Sequence, residues 1–200
     1  MSSDDEFLFI VDFDDTIFPT TWAVNFYFDK SFKALPDNMH DYVEHLTVFL
    51  STIKTFGRVL ILTNSICNWV ENGVKELFGE DSRYPDAVNA VLGVDDIIYA
   101  RENHPTVPPE EAKKHAFKQI LSQYTSAKHV IAFGDHELDQ TSFKEAIKSD
   151  KGDRRALFVK FRMQPSFHML SAQLELLNTK IIELMTKQPF ATGTAKFLAE

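Results

Sequence analysis

Five short apolar runs punctuate the chain, at Phe7–Val11, 58–62, 96–100, 129–133 and 156–161. Each is nearly continuous in hydrophobicity rather than alternating, which suits strands buried on both faces of a parallel sheet. Between them the period lengthens to that of a helix. Residues 41–56 place Val43, Leu46, Leu50 and Ile53 on one face, and Gly57 follows as a stop. Residues 68–78 carry Trp69, Val70, Val74, Leu77 and Phe78. A helix over 110–124 follows a Pro-Pro start and shows Phe117, Ile120, Leu121 and Tyr124. A shorter one spans 139–148 with Phe143 and Ile147. The clearest runs over 166–185, with Phe167, Leu170, Leu174, Leu177, Ile181 and Leu184 along one stripe. This alternation predicts an α/β fold: a Rossmann-like, doubly wound sheet of about five mainly parallel strands flanked by helices.

The segments between these elements are irregular. Residues 80–90 read as a loop or broken turn, as do 101–109 with their prolines. Residues 18–38 are aromatic-rich and begin right after the polar end of the first strand, so they are expected to overhang it as a small flap. No repeat, low-complexity tract or shift in composition marks a second domain. The expected organisation is one core domain over 1–189, with 18–38 as the flap insertion and 190–200 as a C-terminal tail.

Composition narrows the function classes. The chain has 200 residues, enough for one domain with a substantial core. Its formal charge of −8 argues against sequence-independent nucleic-acid binding, which rests on Lys and Arg neutralising phosphates. Phosphorylated substrates stay open, because a bound cation reverses the local field. Cys67 is the only cysteine, so no intrachain disulfide can form, in keeping with a reducing compartment. The acidic start MSSDDEF lacks the basic and apolar regions of a signal peptide, and no apolar run reaches membrane-spanning length. The expectation is a cytoplasmic protein with no membrane and no nucleic-acid partner.

The chemistry is concentrated where FLFIVDFDDT leaves the first strand. Asp12, Asp14 and Asp15 crowd together there, and their mutual repulsion raises the free energy unless a cation or a shared proton relieves it. Ligands of open parallel sheets bind outside the carboxyl ends of the strands. Three further groups fall at such ends or at the helix starts between them. Thr63, Asn64 and Ser65 follow the second strand, Lys113 and Lys114 open the helix after the third, and Gly134, Asp135 and Asp139 follow the fourth. In this order the chain resembles the haloacid dehalogenase-like hydrolase superfamily over about residues 7–161. DFDDT at 12–16 is similar to its DxDxT motif, VLILTN ending at Thr63–Asn64 to its second, a lysine at 113 or 114 to its third, and GDHELD at 134–139 to its GDxxxD motif.

The resemblance implies a Mg²⁺-dependent phosphatase working through an aspartyl-phosphate. Asp12 would be the nucleophile and Asp14 the general acid and base. Mg²⁺ would sit on Asp12, the Asp14 main-chain carbonyl and Asp135. Thr63, Asn64 and a lysine would hold the phosphoryl group. Lys113 and Lys114 both lean toward the core side of their helix, and Lys113 is favoured. Thr16 would brace the loop, and Asp139 would orient the lysine or a metal-bound water. Asp15 stands where many relatives have glycine and reads as a solvent-facing or capping residue. His136 reads as a partly exposed helix-start residue. His40 and His45 lack the spacing of a helical zinc pair. Cys67 reads as a packing residue, and Arg101 as a substrate contact or a strand-end ion pair. Trp22, Phe26, Tyr27 and Phe28 fit a lip over the site or packing at the domain edge equally well.

Too few residues lie between the motifs for a full cap domain, so the site is expected to be open. The expected partner is a phosphorylated substrate, either a small molecule or a phosphoprotein. A phospho-acceptor signalling module and a catalytically idle binding protein are the alternatives.

Overall fold

The computed structural model describes residues 6–28, 35–79, 83–186 and 193–196. All five expected strands form: β1 (Phe7–Val11), β2 (Gly57–Thr63), β3 (Asp96–Tyr99), β4 (His129–Gly134) and β5 (Arg155–Lys160). A short sixth, β6 (Gly193–Lys196), pairs beside β5 within the segment read as a tail. All pairings are parallel, and the order across the sheet is β3-β2-β1-β4-β5-β6. This is the doubly wound, Rossmann-like order, in which the winding reverses between β1 and β4.

Strand periodicity sorts the core into two layers. Phe9, Val11, Val59, Ile61, Ile131, Phe133 and Val159 face one side. There they meet α2 (Met39–Phe56), α3 (Cys67–Val74), α4 (Pro85–Leu92) and α8 (Phe167–Thr186). Leu8, Ile10, Leu60, Leu62, Val130, Ala132 and Phe158 face the other, against α6 (Pro109–Gln123) and α7 (Glu137–Ser149). Near-continuous apolar strands are therefore needed, because every strand position in the sheet's centre is covered.

Several irregular stretches turn out to be ordered. Residues 18–38 begin with α1 (Thr20–Ala23) and a π-helical turn over Val24–Phe28. Another π-helical turn, Lys75–Gly79, extends α3 to the end of its expected span. The loop expected at 80–90 is corrected: α4 starts at Pro85, a residue whose fixed φ suits the first helical turn. The short α5 (Ala100–Asn103) takes the start of the loop expected at 101–109. Gly57 both caps the end of α2, as expected, and opens β2, where a Cβ would collide with the Phe7 carbonyl oxygen. Residues 29–34 of the expected flap, and 190–192 and 197–200 of the expected tail, lie outside the described residues. Among the described residues, no helix is long and apolar enough to cross a membrane.

Candidate functional site

The chain leaves β1 and β4 toward opposite faces, which opens a crevice at their carboxyl ends. Asp12 sits at the mouth of β1, where its amide donates to the Phe133 carbonyl at 2.9 Å and prolongs the β1–β4 pairing by one residue. The loop that follows is compact. Ile17 and Phe18 amides both donate to the Phe13 carbonyl, and the Phe13 and Phe18 rings stack with centroids 4.8 Å apart in the core. With Phe13 anchored inward, Asp12 and Asp14 on either side of it face the crevice. Asp15 adopts a φ of 53°, the left-handed region that favours glycine. Contrary to a solvent-facing reading it is buried, and its carboxylate accepts the Thr21 amide (2.8 Å) and hydroxyl, capping α1.

At the centre is a buried lysine between carboxylates. Lys113 Nζ lies 2.7 Å from Asp12 Oδ1 and 3.0 Å from Asp139 Oδ1. All three residues are buried. Burial would pull the Lys113 ammonium down, but Asp12 and Asp139 outweigh it and hold it above its usual range. Lys114 instead points outward to Glu111 (3.1 Å) and Glu145 (2.8 Å). The choice the spacing left between the two lysines is thus resolved in position: only Lys113 reaches the crevice.

One ligand atom each from Asp12, Asp135 and Asp139 falls within 4.8 Å of the others. Burial first, and then the neighbouring Asp139, push the Asp135 carboxyl up to about 7 against the opposing pull of Lys113. Burial likewise raises Asp12 well above the ordinary carboxylate range despite Lys113, with Asp139, Asp14 and Asp135 adding to the rise. Asp139 Oδ2 is buried with no hydrogen-bond partner. Its close approach needs Gly134, since a Cβ there would lie 3.2 Å from that same oxygen. Three oxygen donors, one of them unsatisfied, with too little positive charge between them, suit a hard divalent cation.

Asp14 is held differently. Its Oδ1 accepts from Thr20 Oγ1 (2.7 Å) and Trp69 Nε1 (3.3 Å), and its Oδ2 from Ser65 Oγ (2.7 Å) and Thr63 Oγ1 (3.0 Å). Thr63 thus spends its hydroxyl on Asp14, and the Thr63 oxygen in turn accepts the Ser65 amide at 2.9 Å. Asn64 lines the crevice beside them. Thr16 is fully buried in the loop, with no partner for its hydroxyl among the described residues. His136 caps α7, its Nδ1 accepting the Leu138 amide at 3.1 Å. Arg101 is exposed on α5 and does not line the crevice. Trp22, Tyr27 and Phe28 pack inward: Trp22 lies 5.0 Å from Phe167 and Phe28 5.4 Å from Trp69 between ring centroids, while Phe26 is exposed.

Two contributors escaped the motif reading. Lys160, at the end of β5, is buried and donates to the main-chain oxygens of Asp135 and Phe161, so it fixes the β4–α7 loop from behind. A lysine closing the apolar run ALFVK is the signal that could have found it. Trp69 was read as a core residue, and only its indole N–H betrays a second use.

The crevice has a volume of about 390 Å³. A larger one, about 600 Å³, lies between the Lys75–Gly79 turn and α4, and no group of three candidate metal ligands among the described residues lines it. No family model matches the chain, and no curated protein or solved structure matches it either.

Proposed function

We propose that the chain is a Mg²⁺-dependent phosphomonoester hydrolase with Asp12 as its nucleophile. The observation that carries this reading is Lys113 held between Asp12 and Asp139 beside Asp135, at the point where the sheet's winding reverses. Asp12, Asp135 and the Asp14 main-chain carbonyl would hold the ion, with Asp139 close by. Bound Mg²⁺ supplies the positive charge that lets an anionic nucleophile meet an anionic ester.

The rest falls to the chain's own groups. An Asp12 oxygen attacks phosphorus, and the bond from phosphorus to the alcohol oxygen breaks as the new one forms. Asp14 gives its proton to the departing oxygen. It then takes a proton from water, whose oxygen displaces Asp12 and releases inorganic phosphate. The Thr63 and Ser65 hydroxyls can each turn from donor to acceptor, so the cage around Asp14 tolerates both of its protonation states. Lys113 keeps its charge through both steps and offsets the charge that spreads over the equatorial oxygens. Asn64 faces the same space and would hydrogen-bond the phosphoryl group, with Thr63 behind it. The substrate is a phosphorylated small molecule or protein, and the setting a reducing cytoplasm. The dehalogenase-like resemblance supports the same assignment.

The test is release of inorganic phosphate from phenyl phosphate, with and without Mg²⁺, for the parent and Asp12→Asn. Mg²⁺-dependent release that vanishes in the variant supports the reading. An Asp12→Asn protein as fast as the parent would sink it.

A further inference from the structure

The crevice is unevenly furnished. Six carboxylates line it, and Lys113 is the sole lysine or arginine to do so among the described residues. That lysine is already committed to Asp12 and Asp139. His136 is committed through Nδ1 to the Leu138 amide. Yet two large apolar side chains stand on the same lining and remain open to solvent, Leu138 at 50% and Met163 at 43% exposure. Exposed apolar side chains of this size are few among the described residues, and a loop is free to place polar ones instead.

The loop that carries Met163 is built to hold it there. The Phe161 amide donates to the Gly134 carbonyl at 2.8 Å, and the Arg162 amide to the buried Gln173 side chain at 2.7 Å. Gln164, which also lines the crevice, takes a φ of 46°. A left-handed glutamine is strained, and such strain collects where a loop has a ligand to meet.

Resting on the hydrolase reading, we propose that Leu138 and Met163 form an apolar subsite for the leaving group. The substrates it selects are monoesters of uncharged, ring-sized phenols or alcohols. Phosphates carrying a second anion are disfavoured, because Glu110 and Asp15 line the crevice and, among the described residues, no uncommitted lysine or arginine does. A crevice of about 390 Å³ takes one phosphoryl group and one ring. The polarisable Met163 thioether suits an aromatic one.

A matched pair of probes tests this: phenyl phosphate and 4-carboxyphenyl phosphate, each with saturating Mg²⁺. The two differ by one remote charge, and the carboxylated phenol is no worse a leaving group. The parent should favour phenyl phosphate in kcat/KM by about tenfold, the order expected of a like charge roughly 10 Å away at an effective dielectric near 20. Met163→Ala should raise its KM by roughly three- to tenfold and leave kcat nearly unchanged, as loss of apolar contact requires. Leu138→Lys should reverse the preference, a gain that mere damage could not produce. Equal turnover of the two esters, or an unchanged ratio in Leu138→Lys, overturns the subsite while leaving the hydrolase standing. No turnover of either ester overturns both. A phosphotyrosine peptide with neutral flanks separates the sources of such a ring: hydrolysis as efficient as that of phenyl phosphate supports the subsite with a protein side chain as its occupant, and refusal supports it with a free small molecule.

Discussion

At the start of β4, Lys128 Nζ and His129 Nε2 each lie 3.7 Å from a Glu6 carboxylate oxygen, and Arg155 and Asp153 complete a polar recess of about 260 Å³. At the end of the same strand, Asp12, Asp135 and Asp139 crowd around Lys113. Both clusters close the ends of neighbouring strands, and both mix acids with bases. The difference lies in balance and burial. The first sets acids against bases in similar number, with Glu6 half open to water and Lys128 mostly so. The second buries an excess of carboxylates and leaves one of their oxygens unsatisfied. A balanced, wet cluster is an ordinary way to finish a sheet. An unbalanced, largely buried one persists only if the fold around it is stable enough to carry the repulsion.

The sharpest way to break this contrast is to remove the one cation. Lys113→Met leaves Asp12 and Asp139 buried without their partner and should destabilise the protein by about 3–5 kcal/mol in denaturant titrations, besides abolishing turnover. The loss should be largest above neutral pH, because the Asp12 carboxyl, raised by burial, takes a proton as the pH falls.

Next in size is the response to Mg²⁺. Asp135 is raised to about 7, so in metal-free protein its contribution to stability is complete below the ordinary carboxyl range near 4. That contribution is lost as pH rises through about 7. A bound cation removes this slope, and Mg²⁺ at about a hundred times its dissociation constant should add roughly 2–3 kcal/mol. Thermal melts across this range, with and without the ion, measure both effects. The other end of the strand titrates with the opposite sign. Burial lowers His129 despite Glu6, so its share is present above 6.5 and is lost as pH falls below it.

Gly134→Ala should cost about 1–2 kcal/mol, since its Cβ would press on Asp139 Oδ2 and the Phe158 ring, each 3.2 Å away. Turnover should fall more than stability does, because the displaced group is Asp139. The smallest effect belongs to the balanced end. Lys128→Ala removes a mostly exposed partner and should change stability by no more than about 0.5 kcal/mol. A change of several kcal/mol there would mean that balance is not what separates the two clusters.

The fold was legible wherever a long period or a continuous apolar run existed. Strand β1 was expected at its observed bounds, and α2 and α8 differ from expectation only at their ends. α4 was not legible, because eight residues with only Ala87 and Val91 buried are too few to show a period. Within the site, the placement of Asp12, Asp135 and Asp139 together was legible because they follow strand ends, whereas Lys113 and Lys114 were separated only once α6 was placed. The partner of Thr63 was not. Its hydroxyl could serve a phosphate or a neighbouring acid, and nothing in VLILTN distinguishes the two. Asp15 was half legible: its place in a glycine-like position matches its positive φ, but its burial follows from Thr21, six residues on. Leu138 and Met163 gave no sign at all, since an exposed apolar residue looks like a core residue until the fold is known.

The most direct test of the central claim is to quench the protein in acid during turnover of phenyl phosphate with Mg²⁺ and to map the phosphoryl group by mass spectrometry. The expected result is one phosphoryl group on the Asp12 carboxylate, absent from Asp12→Asn and accumulating when Asp14→Asn slows its hydrolysis. Phosphate release with no label on Asp12 in either protein, or with the label on another side chain, would contradict the account.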